Sequence, residues 1–316
     1  MKAIGLTQYG GPEVLHPVDL PDPHPAAGEI RIRVAAAALN PADVMLRDGS
    51  LAAIYEGLEL PYVPGMDVAG TVDEVGEGVD VEVGARVVAI LDNTGSFGGY
   101  SEYVVVPAAS ATAAPAGADW AESASFLMNA LTARNALDTL ALPAGSTILV
   151  TGAAGAVGAS SVALAHQDGL RVIALAGADD EADVRALGAD VFVPRGDGAI
   201  EAILAAAPDG VDAVLDGATL YAAILPAVRD GGALIDLRFW DAEPERGIRV
   251  LHVNVRQRAQ DQAAITRLRE QVEGGILPLR VAATYPAVDA VAAHARLDAG
   301  GLRGRIVLAF PVDAAD

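Results

Sequence analysis

Three glycines set three residues apart, in Gly152-Ala-Ala-Gly155-Ala-Val-Gly158, are the clearest chemical signal in this chain. They follow the apolar run Ile148-Leu-Val-Thr151 and precede a segment carrying Val162, Leu164 and Ala165, so the order is strand, glycine turn, helix. Glycine permits a tight turn and a close approach of backbone N–H groups to a pyrophosphate. The helix N-terminus adds unpaired donors and a partial positive charge. A dinucleotide is the ligand such a loop takes, with Gly152, Ala154, Gly155, Ala156, Val157 and Gly158 around its phosphates. A bare structural turn is the alternative, and the second strand that follows the helix counts against it.

The end of that second strand selects the nucleotide. An acid there commonly binds both ribose hydroxyls of NAD, whereas Arg171-Val-Ile-Ala-Leu-Ala-Gly177 closes on Ala176 and Gly177 and leaves room for a 2′-phosphate. Arg195, just past the third strand, is the candidate cation, with a solvated surface arginine as its other reading. Asp179, Asp180 and Glu181 oppose a phosphate. NADPH is favoured, and NADH is the second choice. Asp216, Gly217 and Ala218 end a fourth strand, which places their backbone at the carboxyl edge where ligands lie.

Other chemistry is excluded by composition. The chain has no cysteine, so thiolate metal sites, disulfides and cysteine nucleophiles are absent. His16, His24, His166, His252 and His294 are scattered without paired helical spacing and read as surface or packing residues, so no metal site is expected. A formal net charge of −21 repels nucleic acid. Neither a leader nor an apolar run of about twenty residues is visible, which predicts a cytoplasmic protein without a membrane partner.

Several elements must position these residues. Short strand-like runs broken by Gly and Pro fill the first hundred or so residues, among them Glu29-Ile-Arg-Ile-Arg-Val34 and Asp67-Val-Ala-Gly-Thr71. From Pro143 strands and helices alternate, which predicts a parallel sheet covered on both faces. Strands are expected at Thr147–Thr151, Arg171–Leu175, Val191–Val193, Asp212–Leu215, Ala233–Leu237 and Val250–Val255. Ile265, Leu268 and Val272 share one face of a later helix, and Gly304-Arg-Ile-Val-Leu308 has the alternation of a strand that rejoins the first domain.

Taken in order, Asn40-Pro-Ala-Asp43 with Arg47 and Gly49, Pro64-Gly-Met-Asp67, Gly99-Tyr-Ser-Glu-Tyr103, Leu131-Thr-Ala133, the glycine loop, Leu187-Gly-Ala-Asp190 and Gly304–Leu308 are distinctive. With them the chain resembles the zinc-free quinone oxidoreductase branch of the medium-chain dehydrogenase/reductase superfamily. The resemblance implies an α/β protein with a β-rich GroES-like catalytic domain over 1–117 and 257–316 and a doubly wound Rossmann cofactor domain over 118–256. Zinc-dependent relatives similar to this chain carry Cys where Asn40 stands and His-Glu where Met66-Asp67 stands. An amide beside a thioether is a poor zinc donor set. Without a Lewis acid, the expected substrates are electron sinks, a quinone or an α,β-unsaturated carbonyl.

The same resemblance places Asn40 and Thr132 beside the nicotinamide, although Asn before Pro also forms turns and a helical Thr also bonds its own backbone. Asp43 and Arg47 are expected to pair with each other or with Asp67. Where relatives often have Tyr, two residues after Gly49, this chain has Leu51, and Tyr55 is the candidate proton donor, with water as its competitor. Phe239-Trp240 and Asn93-Thr-Gly-Ser-Phe97 are candidate pocket walls. Tyr100 and Tyr103 read as core or edge residues. The strand Ile248-Arg-Val-Leu-His-Val-Asn-Val255 sits where relatives join two sheets, implying a homodimer. An enoyl reductase or recruited homologue in secondary metabolism, and a nucleotide-binding regulatory protein without turnover, remain alternatives.

Overall fold

In a computed structural model, which describes residues 1–94 and 97–311, the chain forms two compact units. The first comprises Met1–Met128, Ala259–Glu273 and the chain from Leu279 onward; the second comprises Asn129–Arg258 and Gly274–Pro278.

Strands β1 (Lys2–Gly5) and β2 (His16–Asp19) of the first unit pair with each other. Strand β3 (Glu29–Ala38) leads into helix α1 (Pro41–Arg47) and is followed by β4 (Asp67–Val75), β5 (Arg86–Ile90), β6 (Tyr103–Pro107), β7 (Ala111–Ala113) and helix α2 (Trp120–Ala124). β3 alternates half-buried and buried residues before turning into the fully buried run Val34–Ala38, because it lies centrally, between β4 and the carboxyl-terminal strand.

Helix α3 (Leu127–Leu140) opens the nucleotide-type fold. Then come β8 (Thr147–Thr151), α4 (Ala156–Gln167), β9 (Arg171–Ala176), α5 (Glu181–Ala186), β10 (Val191–Pro194), α6 (Ala199–Ala206), β11 (Val211–Asp216), β12 (Val228–Asp236) and β13 (Arg249–His252). These six strands are parallel in the order β10-β9-β8-β11-β12-β13, so the chain reverses direction across the sheet between β8 and β11. Ligands of such sheets gather at that reversal. Helix α7 (Gln262–Glu273), strand β14 (Val281–Pro286), helix α8 (Ala290–Asp298) and strand β15 (Arg305–Ala309) complete the first unit, and β15 pairs antiparallel with β3. Its sheet runs β14-β15-β3-β4-β5-β7, with β6 also on β3.

Two strand bounds differ from the sequence expectation by more than one residue. β12 begins at Val228, where Val211 pairs with it before the register shifts ahead of Ala233; the Gly231-Gly232 pair hides this in the sequence. β13 stops at His252 because Asn254 Oδ1 accepts the Arg256 N–H and the chain turns into a 3₁₀ segment. Among the described residues no helix is long and apolar enough to cross a membrane.

Candidate active site

In the second unit the glycine loop joins β8 to α4. Gly152 has φ +61°, a conformation that costs a side chain strain, and a Cβ on Gly158 would lie 2.1 Å from the Gly152 carbonyl oxygen. Both glycines are therefore required by the turn itself. Gly155 differs. It is the N-cap of α4, makes no side-chain cap bond, and an added Cβ would meet nothing nearer than the Gly152 oxygen at 3.2 Å. Its bareness leaves the first-turn N–H groups of Ala156, Val157 and Gly158 open to a phosphate, which is the fit a dinucleotide needs.

The carboxyl edge beside this loop is organised by a buried acid. Asp216 accepts the Thr151 hydroxyl at 2.5 Å and the Tyr221 N–H at 2.8 Å, and Thr151 Oγ1 accepts the Ala218 N–H at 3.0 Å. A Cβ on Gly152 would sit 3.2 Å from the Gly217 carbonyl carbon, so the loops after β8 and β11 abut. Thr151 was not singled out from sequence; a hydroxyl closing a strand beside a glycine loop is the signal that could have found it.

At the end of β9, Arg195 Nη2 comes within 3.8 Å of the space a Gly177 side chain would fill, while the Arg195 N–H donates to the Ala176 carbonyl. Asp180 Oδ2 accepts the Gly177 N–H, and Glu181 is paired with Arg185 at 2.8 Å. A cation and a carboxylate thus both stand at this strand end. Thr132 lies half-buried on α3. Exposed Phe239 has φ +59°; Trp240 donates its backbone N–H to the buried Asp236, and its ring packs on Tyr221, centroids 5.3 Å apart.

In the first unit, Asn40 is 2% exposed and is the N-cap of α1. Its N–H donates to Asp43 Oδ2 at 2.7 Å, yet its side chain makes no cap bond. Instead, Oδ1 accepts from Arg305 Nη2 at 2.9 Å, and Nδ2 donates to the Ala38 carbonyl at 3.3 Å. A turn-forming role alone does not account for that side chain. Arg305 also donates to the Leu39 carbonyl and reaches Asp67 Oδ2 at 3.4 Å, inside a fully buried setting.

This corrects the expected pairings. Asp43 does not pair with Arg47: its carboxylate takes the Asn40 and Gly65 backbone N–H groups, while Arg47 pairs with Asp298 at 2.9 Å and contacts His294 Nδ1 at 3.1 Å. Asp67 is matched by Arg305, which sequence reasoning had left without a role. His294 is buried, with Tyr100 Oη 3.0 Å from its Nε2. Burial pushes the Asp43 carboxyl up to about 6 and that of Asp67 up to about 7, in each case opposed in part by Arg305. Burial and then the Arg47 charge lower His294 to about 3, and burial holds the Tyr100 phenol well above its usual value.

Tyr55 is buried rather than swung into solvent, and its hydroxyl donates to Asn93 Oδ1 at 2.6 Å. Both line a largely apolar cavity of about 360 Å³ with Tyr62, Val63, Phe97 and Val104. Of the expected wall Asn93–Phe97, residues Gly95 and Ser96 lie outside the described residues.

Zinc does not fit the Asn40–Asp67 locus. A guanidinium already holds an oxygen of each residue, and the thiolate and imidazole donors that zinc favours are missing there.

Residues 26–116 match the family described as alcohol dehydrogenase GroES-like domain, and residues 187–308 the one described as zinc-binding dehydrogenase. The chain is 33% identical to a chloroplastic NADPH-dependent alkenal/one oxidoreductase of Arabidopsis thaliana over 75% of this chain and 62% of that one. It is 34% identical to the quinone oxidoreductase of Rattus norvegicus over 57% and 54%, and 32% identical to a chloroplastic quinone-oxidoreductase homolog of Spinacia oleracea over 75% and 74%. The chain thus spans little more than half the length of the first two. Two solved structures, each 29% identical over 98% of this chain, are an NAD-dependent alcohol dehydrogenase (TM-score 0.86, 99% of that chain) and a mycobacterial protein complexed with NADPH (TM-score 0.85, 100% of that chain).

Proposed function

The chain belongs to the medium-chain dehydrogenase/reductase superfamily, alongside its quinone oxidoreductases and alkenal reductases, and on that premise we propose that it passes hydride from NADPH to a quinone or an α,β-unsaturated carbonyl. The observation that carries this reading is the Arg305 guanidinium seated on Asn40 and Asp67. With those oxygens engaged, no Lewis acid is recruited there, and a substrate must itself accept the electrons. When bound, the nicotinamide supplies two electrons and a hydrogen from C4 as hydride.

The protein's own part begins with binding. The open N–H groups at Ala156–Gly158 hold the pyrophosphate, and the backbone of Asp216–Ala218 lines its edge. In an enone, the electrons displaced by hydride addition at the β-carbon gather on the carbonyl oxygen, where an Asn40 Nδ2–H donates. A proton from water or a phenol then completes the α-carbon. Tyr55 is a poor source while its hydroxyl proton is held by Asn93. Thr132 is assigned to the nicotinamide side. The working form is a homodimer in the cytoplasm.

Arg195 beside Gly177 supports the 2′-phosphate, and Asp180 at the same point supports the NADH alternative. Arg195→Ala therefore weakens NADPH binding about tenfold and leaves NADH unchanged, as read by nucleotide fluorescence titration; equal effects on both would favour NADH. The activity itself is tested by following reduced-nicotinamide absorbance with a panel of enones and quinones. Oxidation of NADPH with any of them supports the reading, and none with all of them overturns it.

A further inference from the structure

Asn40 has an amide whose two ends are chemically distinct, and only one arrangement suits its surroundings. Arg305 carries N–H donors and no acceptor, so the atom facing Nη2 at 2.9 Å must be the amide oxygen. The Nδ2 end then faces the Ala38 carbonyl with one hydrogen and retains a second. The guanidinium is itself locked by two bonds to the Leu39 carbonyl, at 2.7 Å from Nη2 and 3.2 Å from Nε, and by the Asp67 carboxylate. Arg305 and Asn40 lie 265 residues apart in sequence, and both are at most 5% exposed. A cation bonded to an amide oxygen withdraws electron density from the nitrogen and makes its N–H a stronger donor.

We propose that Arg305 is a positioning residue for hydride acceptance: by binding the Asn40 oxygen it fixes which end of the amide keeps the second N–H and strengthens that N–H as the donor to the substrate oxygen on which charge develops. The inference rests on the functional reading above. Arg305 supplies, through an amide, part of what a metal bonded to the substrate oxygen would supply directly.

A double-mutant design tests it. Arg305→Met alone would leave the buried Asp67 without its charge partner, so the substitution is made in an Asp67→Asn background, with Arg305→Lys as the conservative variant. Adding Arg305→Met to Asp67→Asn should lower kcat for an enone by about tenfold or more, with enone KM and NADPH affinity within about threefold. Arg305→Lys should recover most of that loss. When Asn40→Ala is also present, Arg305→Met should cost nothing further in kcat, because the residue it positions is gone.

Equal losses with and without Asn40→Ala, or an unchanged kcat, would overturn the proposal. A second readout needs no turnover. In ¹⁵N spectra of the cofactor-free protein, the Asn40 side-chain amide protons should exchange slowly with solvent and resonate away from free-amide positions, and Arg305→Met should speed that exchange and move the pair toward free-amide positions; an unaltered pair would refute the positioning role. A wild-type protein inactive on every enone and quinone would count against the functional reading, leaving the amide spectrum to decide on Arg305.

Discussion

Asn40 is gripped through its backbone by Asp43 and through its side chain by Arg305, so its amide is placed without help from a ligand. Under the proposed role, replacing it with Ala removes the donor to the developing oxyanion. Asn40→Ala should lower kcat about a hundredfold while nucleotide affinity holds, measured by steady-state kinetics beside a binding titration. The buried groups around it also set a pH signature. Asp43 and Asp67 keep protons in the fold that the unfolded chain releases near pH 4, so their contribution is complete at low pH and fades as pH rises toward 7. His294 acts in the opposite sense. The unfolded imidazole takes a proton below about 6.5 that the folded one refuses until about 3, so stability from neutral His294 is present at pH 7 and is lost on acidification. In urea melts, the stability gap between wild type and His294→Gln should therefore shrink by about 1 kcal/mol per pH unit from pH 6.5 downward, and a constant gap would contradict the assignment. Asn40 and the Asp43 motif were legible in the sequence as a local cluster. The partners of Asp67 and Arg47 were not, because Arg305, His294 and Asp298 come from the far end of the chain and spacing gives no sign of which acid each meets.

At the scale of elements, the glycine loop separates two glycines that the turn demands from Gly155, which it demands less strictly and which is proposed to face the phosphate. Gly158→Ala places a Cβ against the Gly152 oxygen and should both lower the melting temperature and abolish nucleotide binding. Gly155→Ala brings a Cβ within 3.2 Å of the Gly152 oxygen, a close contact relieved by a shift of a few tenths of an ångström, and should fold with a small loss of stability while weakening nucleotide affinity about tenfold, as the methyl intrudes on the phosphate site. Thermal melts with nucleotide titrations distinguish the two, and equal destabilisation by both would leave the loop with a purely structural role. The six-strand sheet was readable because buried parallel strands give continuous apolar runs such as Ile148–Val150 and Val172–Leu175, each followed by helix. β2 and β7 were missed: they are four and three residues long, and neither is apolar enough to stand out. β12 was read late because its first turn of pairing carries Arg229, Asp230 and two glycines.

At the scale of the whole molecule, the charge of −21 and the open edge of β13 are the features a partner would meet. β13 pairs with β12 on one side only among the described residues, and an unpaired edge invites a second strand. If two copies join there, light scattering should give twice the 32.1 kDa chain mass, and a single species at the chain mass would contradict the proposed homodimer. In the proposed reaction hydride passes from nicotinamide to an electron-poor carbon with no metal taking part. Its most direct test is turnover of an enone by chelator-treated protein with NADPH deuterated at the transferred C4 position, followed by mass spectrometry of the product. One deuterium at the β-carbon, formed at the same rate as by untreated protein with the same deuterated cofactor, is the predicted result; a product without deuterium, or activity that returns only on adding zinc, would contradict it.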